Sequence, residues 1–493
     1  MTEATEDESV DVVVVGGGNA AFCAAHAARE RGRSVVLLEK ASADDAGGNS
    51  YFTAGATRMV HSGLSDLIDL VEPDPRMAMS VVPPYSAENF AQDMERVTEG
   101  RNDKALTKVL VDEIAGSLRW LKGLGFKYRL MYERQAYTRA DGSYLFWGGL
   151  HVGNVDGGRG LMSDHTKAAS RSGIDVRYGH RVLDLLSGDG AITGVTYRAN
   201  GGEPQRIRAE SVILAAGGFE ADAAMRREHL GAGWENAKVR GTPLNTGDMI
   251  LAAIRHGATQ GGDWGSCHSV AWDAYNEHNE SNRELTNRLT RQSYPLGIVV
   301  NREGRRFLDE GADFRNYTYA KYGREILAQS GSVAFQIFDA ALRPQLRSKE
   351  YEMPGISEFT AETLEDLADQ LGVPQAQFVD TVSEFNSSID RSKPFDPTVK
   401  DGRRANTVPP KSNWSAAIET GPFFAYPVTC AITFTFGGLK SDTHGRVLRE
   451  TGEPISNLFV AGEMLGGLFS ANYPGGSGLA AGMVFGRRAG SIA

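Results

Sequence analysis

Four consecutive β-branched residues, Val12 to Val15, open the patterned part of the chain. An unbroken run of that kind predicts a strand buried on both faces, as in a parallel sheet. Gly16, Gly17 and Gly18 follow at once, and small and apolar residues then recur at helical spacing from Asn19 to Arg31. Gly32 ends that segment, and Ser34 to Leu38 form a second buried strand closing on Glu39. The pattern predicts one βαβ unit.

Further on, periodicity predicts helices at Glu88 to Arg101, Asp103 to Leu124, Gly160 to Gly173 and Met249 to His256. Asp175 to Leu186 predicts a strand, and Val195 to Arg198 with Arg206 to Ala209 a hairpin closed by Asn200-Gly201-Gly202. Ser211 to Phe219 and Leu458 to Glu463 each run a buried strand into glycine. From about Gly261 to Glu419 the texture becomes more mixed and more charged, with amphipathic helices at Thr363 to Leu371 and Gln375 to Asp390. Polar, Pro-containing Ser392 to Trp414 predicts a linker back to the first lobe. The aromatic residues between Phe126 and Val152 are expected to pack a core rather than touch a ligand. The last stretch returns to the opening texture. The fold class expected is therefore a discontinuous, Rossmann-like α/β nucleotide domain, 1–260 and 420–493, with an inserted α+β capping or substrate domain at 261–419.

The turn in the opening unit has the residues a dinucleotide needs. Gly16 permits the tight turn, Gly18 lets backbone approach a pyrophosphate, and Ala21 is small enough for helix and strand to pack closely. The helix start then faces the phosphates with its amides and the positive end of its dipole. Glu39, 23 residues beyond Gly16, is placed to accept from ribose hydroxyls and would repel a 2′-phosphate. FAD or NAD is indicated, not NADP.

Length, charge and cysteine content narrow the class. A chain of 493 residues exceeds a single core, and 58 glycines clustered beside strands suit backbone wrapped around a large ligand. A net charge of −10 argues against nucleic acid and anionic membrane as partners. Cys23, Cys267 and Cys430 are too few and scattered for a metal site or a disulfide framework, and haem and iron–sulfur spacings are lacking. No apolar run reaches the length of a membrane span, and Met1 to Ser9 is an acidic, polar tail without signal-peptide character. A cytoplasmic protein is expected.

Longer motifs carry more specific information. Gly47-Gly48-Asn49-Ser50, the run from Gly304 to Tyr317 (GRRFLDEGADFRNY), Phe434 to Gly438, Ala461-Gly462-Glu463 and Asn472 to Gly478 (NYPGGSG) resemble, with the βαβ unit, the fumarate reductase/succinate dehydrogenase flavoprotein family over nearly the whole chain. Within it the chain resembles the FAD-dependent tricarballylate dehydrogenase group. The resemblance implies FAD held by Gly16, Gly18, Asn19, Ala20, Glu39, Lys40, Gly48, Asn49, Ser50, Thr53, Ala54, Gly55, Val182, Ala216, Gly217, Asp248, Gly462, Glu463, Ser477, Gly478 and Leu479. Asn49 stands where membrane-bound members carry the histidine that bonds FAD, so attachment should be non-covalent. Arg315 matches the family's proton-transfer residue, with Glu310 or Asp313 as feeders, and His268 matches its substrate-binding histidine.

Departures from the family pattern bear on the substrate. Phe434 replaces a second histidine, a Thr-Glu pair before Gly297 is missing, and an arginine near Tyr473 is missing. These losses argue against fumarate or succinate themselves. Tyr473 before Pro474 is also similar to the ketone-binding tyrosine of 3-ketosteroid dehydrogenases, and Arg58, Arg240 and Arg291 are candidate carboxylate clamps.

The implied activity is oxidation of a carbon–carbon bond next to a carboxylate or carbonyl, or reduction of the matching alkene. Hydride would pass between the substrate and flavin N5, Arg315 would move the α-proton, and His268 and Tyr473 would anchor the carbonyl. Tricarballylate to cis-aconitate is the first expectation and a cyclic enone or ketosteroid the second. A flavin-fold binding module without catalysis is the non-enzymatic alternative. Electrons would go to a separate carrier, a quinone or dioxygen.

Overall fold

The computed structural model describes residues 8–139, 141–146, 148–278 and 280–493. Most of the predicted acidic tail lies outside them, but Glu8 and Ser9 already pair in the first strand. Along the chain the elements that build the site are β1 (Glu8–Val15), α1 (Asn19–Glu30), β2 (Val35–Leu38), α2 (Gly48–Phe52), β3 (Asp175–Arg177), β4 (His180–Gly188), β5 (Ala191–Ala199), β6 (Pro204–Leu214) and α3 (Asp248–Arg255). The inserted lobe follows with β7 (Gln260–Asp273), β8 (Ile298–Asn301), β9 (Val333–Phe338), α4 (Ser348–Tyr351), α5 (Leu364–Leu371) and α6 (Gln375–Ser387). The chain then returns through β10 (Phe423–Leu439), β11 (Pro454–Val460) and α7 (Ser477–Ile492).

The first sheet has the order β4-β5-β11-β6-β1-β2-β3. β1 is parallel to β2 and β6, and β11 is parallel to β6, so four strands end at one edge. Val12, Val13 and Val14 are fully buried there, as expected for a strand covered on both sides. β6 unites two predicted elements. Its first half pairs antiparallel with β5, as the hairpin reading required, and its second half pairs parallel with β1. The predicted strand Asp175 to Leu186 divides at Tyr178-Gly179, because Gly179 and His180 bond back to Ala41 and Glu39 and turn the chain from β2 to β5.

The second sheet pairs β10 with β9 and β7, and β9 with β8. β10 carries its pairing from β9 at one end to β7 at the other, reaching from the cap core to the nucleotide lobe. Helices α5 and α6 cover this sheet through Leu367, Phe378, Val382 and Phe385. The predicted linker Ser392 to Trp414 is instead packed structure. Trp414 is buried with its indole N–H donating to Val399 O at 2.7 Å, and buried Lys411 donates to Gly297 O at 2.6 Å. Prolines and polar residues signalled a loop correctly; its hydrogen bonds are what fasten it to the cap.

α7 lies against α1 through a stripe of glycines. A Cβ at Gly486 would meet Ala20 O at 2.4 Å and one at Gly490 would meet Ala24 O at 2.0 Å, so only glycine permits this approach. The N-termini of both helices are thereby brought together at the sheet edge. Among the described residues no helix is long and apolar enough to cross a membrane.

Candidate active site

A single cleft runs from the ends of β1 and β2 to the seam with the inserted lobe. At the sheet edge Gly16 has φ +115°, and a Cβ there would stand 2.3 Å from Ala215 O. The amide of Asn19 at the start of α1 donates to Ser50 Oγ at 3.0 Å, and Asn19 Nδ2 donates to Leu479 O at 3.1 Å. These bonds tie together α1, α2 and α7, whose first turns face the same space. Buried Glu39 accepts from Ala41 N at 2.7 Å, and burial pushes its carboxyl up. Asp248 is held by Lys40 at 3.3 Å and Arg181 at 3.0 Å, which fixes the start of α3 beside Glu39. Glycine backbone at a close turn, helix N-termini and a carboxylate at a strand tip are the groups that fit pyrophosphate and ribose.

Midway, Asn49 donates to Glu220 Oε1 and to Thr433 O, both at 2.6 Å, and accepts from Thr242 N at 2.9 Å. Buried Glu220 adjoins Glu463, and removal from water pushes both carboxyls up, with the charge of Glu220 raising Glu463 further. Thr435 N holds Glu463 at 2.8 Å.

At the seam the side chains change character. Arg315 Nη1 donates to Gln292 Oε1 at 2.8 Å and Nη2 to Gln135 Oε1 at 2.9 Å. Burial, then the nearby Arg347 and Arg134, push this guanidinium down to about 9. Glu350, fully enclosed, lies 3.3 Å from both Arg134 and Arg347 and accepts from Gln292 N at 3.0 Å. Across the cleft, Arg240 Nη1 donates to Thr433 Oγ1 at 2.8 Å, while its Nε is buried without a partner. His268 stands on β7 opposite Phe434 of β10, and both its ring nitrogens are buried and unpartnered. Burial and Arg240 hold His268 neutral, well below the usual imidazole range. Tyr319 and Tyr473 share a hydroxyl–hydroxyl hydrogen bond beside it, and Phe434, Phe436 and Phe469 pack round Tyr473.

A family model described as an FAD binding domain matches residues 11–479. The chain belongs to that family. It is similar to a probable fumarate reductase of Shewanella frigidimarina, 28% identical over 99% of this chain and 75% of that protein. It is also similar to a 3-oxosteroid 1-dehydrogenase of Mycolicibacterium smegmatis, 26% identical over 96% of this chain and 94% of that one. Among solved structures, the open conformation of a flavocytochrome c3 fumarate reductase superposes with a TM-score of 0.71 at 27% identity, covering 98% of this chain and 78% of that one. These findings place the protein in the fumarate reductase/succinate dehydrogenase flavoprotein family, as an FAD-dependent oxidoreductase acting on CH–CH bonds. The non-enzymatic alternative falls away.

In this flavoprotein the residues singled out for FAD and for chemistry line the one cleft, except Gly55 and Ser477. Gly55 has φ +80° and abuts Gly157, where a Cβ would come within 2.8 Å of Cα; Ser477 turns its hydroxyl to Pro474 O at 2.8 Å. Two clamp candidates are corrected. Arg58 is fully buried, bonded to Gly475 O, Tyr85 and Tyr317 and 3.5 Å from Asp93, and Arg291 is buried against Asp273 at 2.6 Å. Neither lines the cleft; Arg240 does. The expected feeders of Arg315 are corrected too. Glu310 is engaged by Arg306 and Val299 N, and Asp313 by Arg96 and Lys400. The carboxylate near Arg315 is Glu350. Arg134, Gln135, Gln292, Tyr319, Arg347 and Glu350 were missed, because nothing periodic or motif-like marks an isolated polar residue that converges only in space.

Proposed function

We propose that this flavoenzyme introduces or reduces a C=C bond α,β to a carboxylate in a polycarboxylic acid, with tricarballylate and cis-aconitate as the pair to try first. One observation carries the reading: in a chain of net charge −10, Arg134, Arg240 and Arg315 line one end of the cleft together with unpartnered His268. Buried donors left without partners are costly unless a ligand completes them. Bound FAD supplies the hydride acceptor or donor. Arg240 and neutral His268 hold one carboxylate, and the fixed N–H of His268 meets the negative charge that develops on it. Arg315, braced by Gln292 and Gln135, takes or gives the α-proton, and Glu350 positions it through Arg134 and Arg347.

A guanidinium in water keeps its proton at any physiological pH. Here the cationic neighbours and burial make the neutral form accessible. In the oxidative direction Arg315 must start deprotonated, so kcat should rise about tenfold per pH unit and level off near 9. Glu350 holds that guanidinium up, and Glu350→Gln should therefore move the inflection to lower pH. A profile flat from neutrality to pH 9 would contradict the assignment.

Asn49, an amide with both ends engaged and no nucleophilic ring nitrogen, supports non-covalent FAD. Precipitating the holoprotein with acid should leave FAD in the supernatant, and a yellow pellet would contradict this. Three free, buried cysteines among the described residues support a reducing, cytoplasmic setting.

A second reading has its own support. The Tyr319–Tyr473 hydroxyl pair beside Phe434, Phe436 and Phe469 suits a ketone on a flat apolar ring. Anaerobic bleaching of the flavin band by tricarballylate, but not by a 3-ketosteroid, supports the first reading; the reverse supports the second.

A further inference from the structure

A second cavity, of about 570 Å³, adjoins the substrate end of the cleft and shares Thr53, Ala54, Arg134 and Asn287 with it. Arg134 lines both, and its carbonyl accepts from Arg315 Nη2 at 3.4 Å, so the cavity reaches the residue beside Arg315. Its wall is cationic: six lining side chains are Arg or Lys and four are Asp or Glu. Three of the four acids are already neutralised. Glu350 sits between Arg134 and Arg347, Glu133 between Arg76 and Arg129, and Glu352 lies 3.7 Å from Arg343. Arg76 and Arg343 stand outside the lining, and each is shared with an acid that also lies outside it, Asp74 at 2.7 Å and Glu358 at 3.4 Å.

Two of the cations lack a carboxylate partner among the described residues. Arg159 donates only to the carbonyls of Arg283 and Glu284, and its Nε is buried and unpartnered. Arg288 makes no side-chain ion pair and is exposed. At the neck between the two cavities, Asn287 is buried with its Nδ2 unpartnered. Free cations outside and an unmet donor at the constriction form a graded path for an anion.

We propose that this cavity is an anion-collecting vestibule, in which Arg159 and Arg288 dock a small dicarboxylate or tricarboxylate before it passes Asn287 to the reacting site. The inference deepens the polycarboxylate reading and rests on it. A cleft of one sign in low-dielectric walls raises the local concentration and the arrival rate of the opposite charge, and salt removes the gain.

The test uses sulfite, a small dianion whose sulfur bonds the flavin and bleaches its visible band without turnover. Holoenzyme mixed with sulfite should bleach with a second-order rate that falls steeply with added KCl. In Arg159→Gln/Arg288→Gln that rate should fall about tenfold at low salt and converge with wild type at high salt, with dissociation unchanged. Asp156→Asn, which removes the lining carboxylate without a cation among the described residues, should quicken bleaching. A wild-type rate indifferent to salt, a double variant as fast as wild type, or no sulfite bleaching at all would overturn the vestibule. The salt and variant pattern with sulfite, alongside an enzyme inert to tricarballylate, would instead remove the proposed substrate and leave the vestibule standing.

Discussion

Arg315→Gln is expected to slow flavin reduction by substrate by about 10²- to 10⁴-fold, the range for loss of a positioned acid–base group. FAD content should not change, because the residues at the pyrophosphate and ribose end belong to other elements. Arg315→Lys should recover little. An ammonium cannot span Gln292 and Gln135 with a planar fork, and it would meet Arg134 and Arg347 with its charge concentrated at one atom. Rapid anaerobic mixing followed at the flavin band measures both variants. A Gln variant within a few-fold of wild type would remove the proton-transfer role.

Arg240→Met should raise KM for tricarballylate roughly 10- to 100-fold, corresponding to about 1.5–3 kcal/mol for a charge-assisted hydrogen bond. kcat should change much less, since Arg240 holds a carboxylate in ground state and transition state alike. Arg58→Met makes the contrast. It leaves Asp93 without its buried cation and Gly475 O without its donor, so the melting temperature should fall while KM stays put. If Arg240→Met left KM for the acid unchanged, a polycarboxylate would be untenable.

The nucleotide lobe was legible because its signals are contiguous. Strand, Gly16 to Gly18, helix and Glu39 occupy one short stretch, and each residue's task follows from the local backbone. The substrate end was not. Arg134 and Gln135 sit in the aromatic stretch that signalled packing, and its rings do pack, Tyr132 on Tyr144 and Phe146. Glu350 lies on the four-residue helix α4, too short for any periodicity. Arg58, Arg240 and Arg291 look alike along the chain. What separates them is a buried carboxylate partner, Asp93 for the first and Asp273 for the third, against a place in the cleft lining for the second. β6 was read as two elements because along one edge its partner changes from antiparallel β5 to parallel β11, a tertiary fact with no local mark.

All of this depends on an acid being oxidised at the seam where the cap's Arg315 meets the nucleotide lobe. The most direct measurement is the absorbance of the oxidised holoenzyme on anaerobic addition of tricarballylate, taken in wild type and Arg315→Gln side by side. The account predicts that wild type bleaches and forms cis-aconitate while the variant keeps its colour. Bleaching by a 3-ketosteroid with none by tricarballylate, or equal bleaching in both proteins, would contradict it.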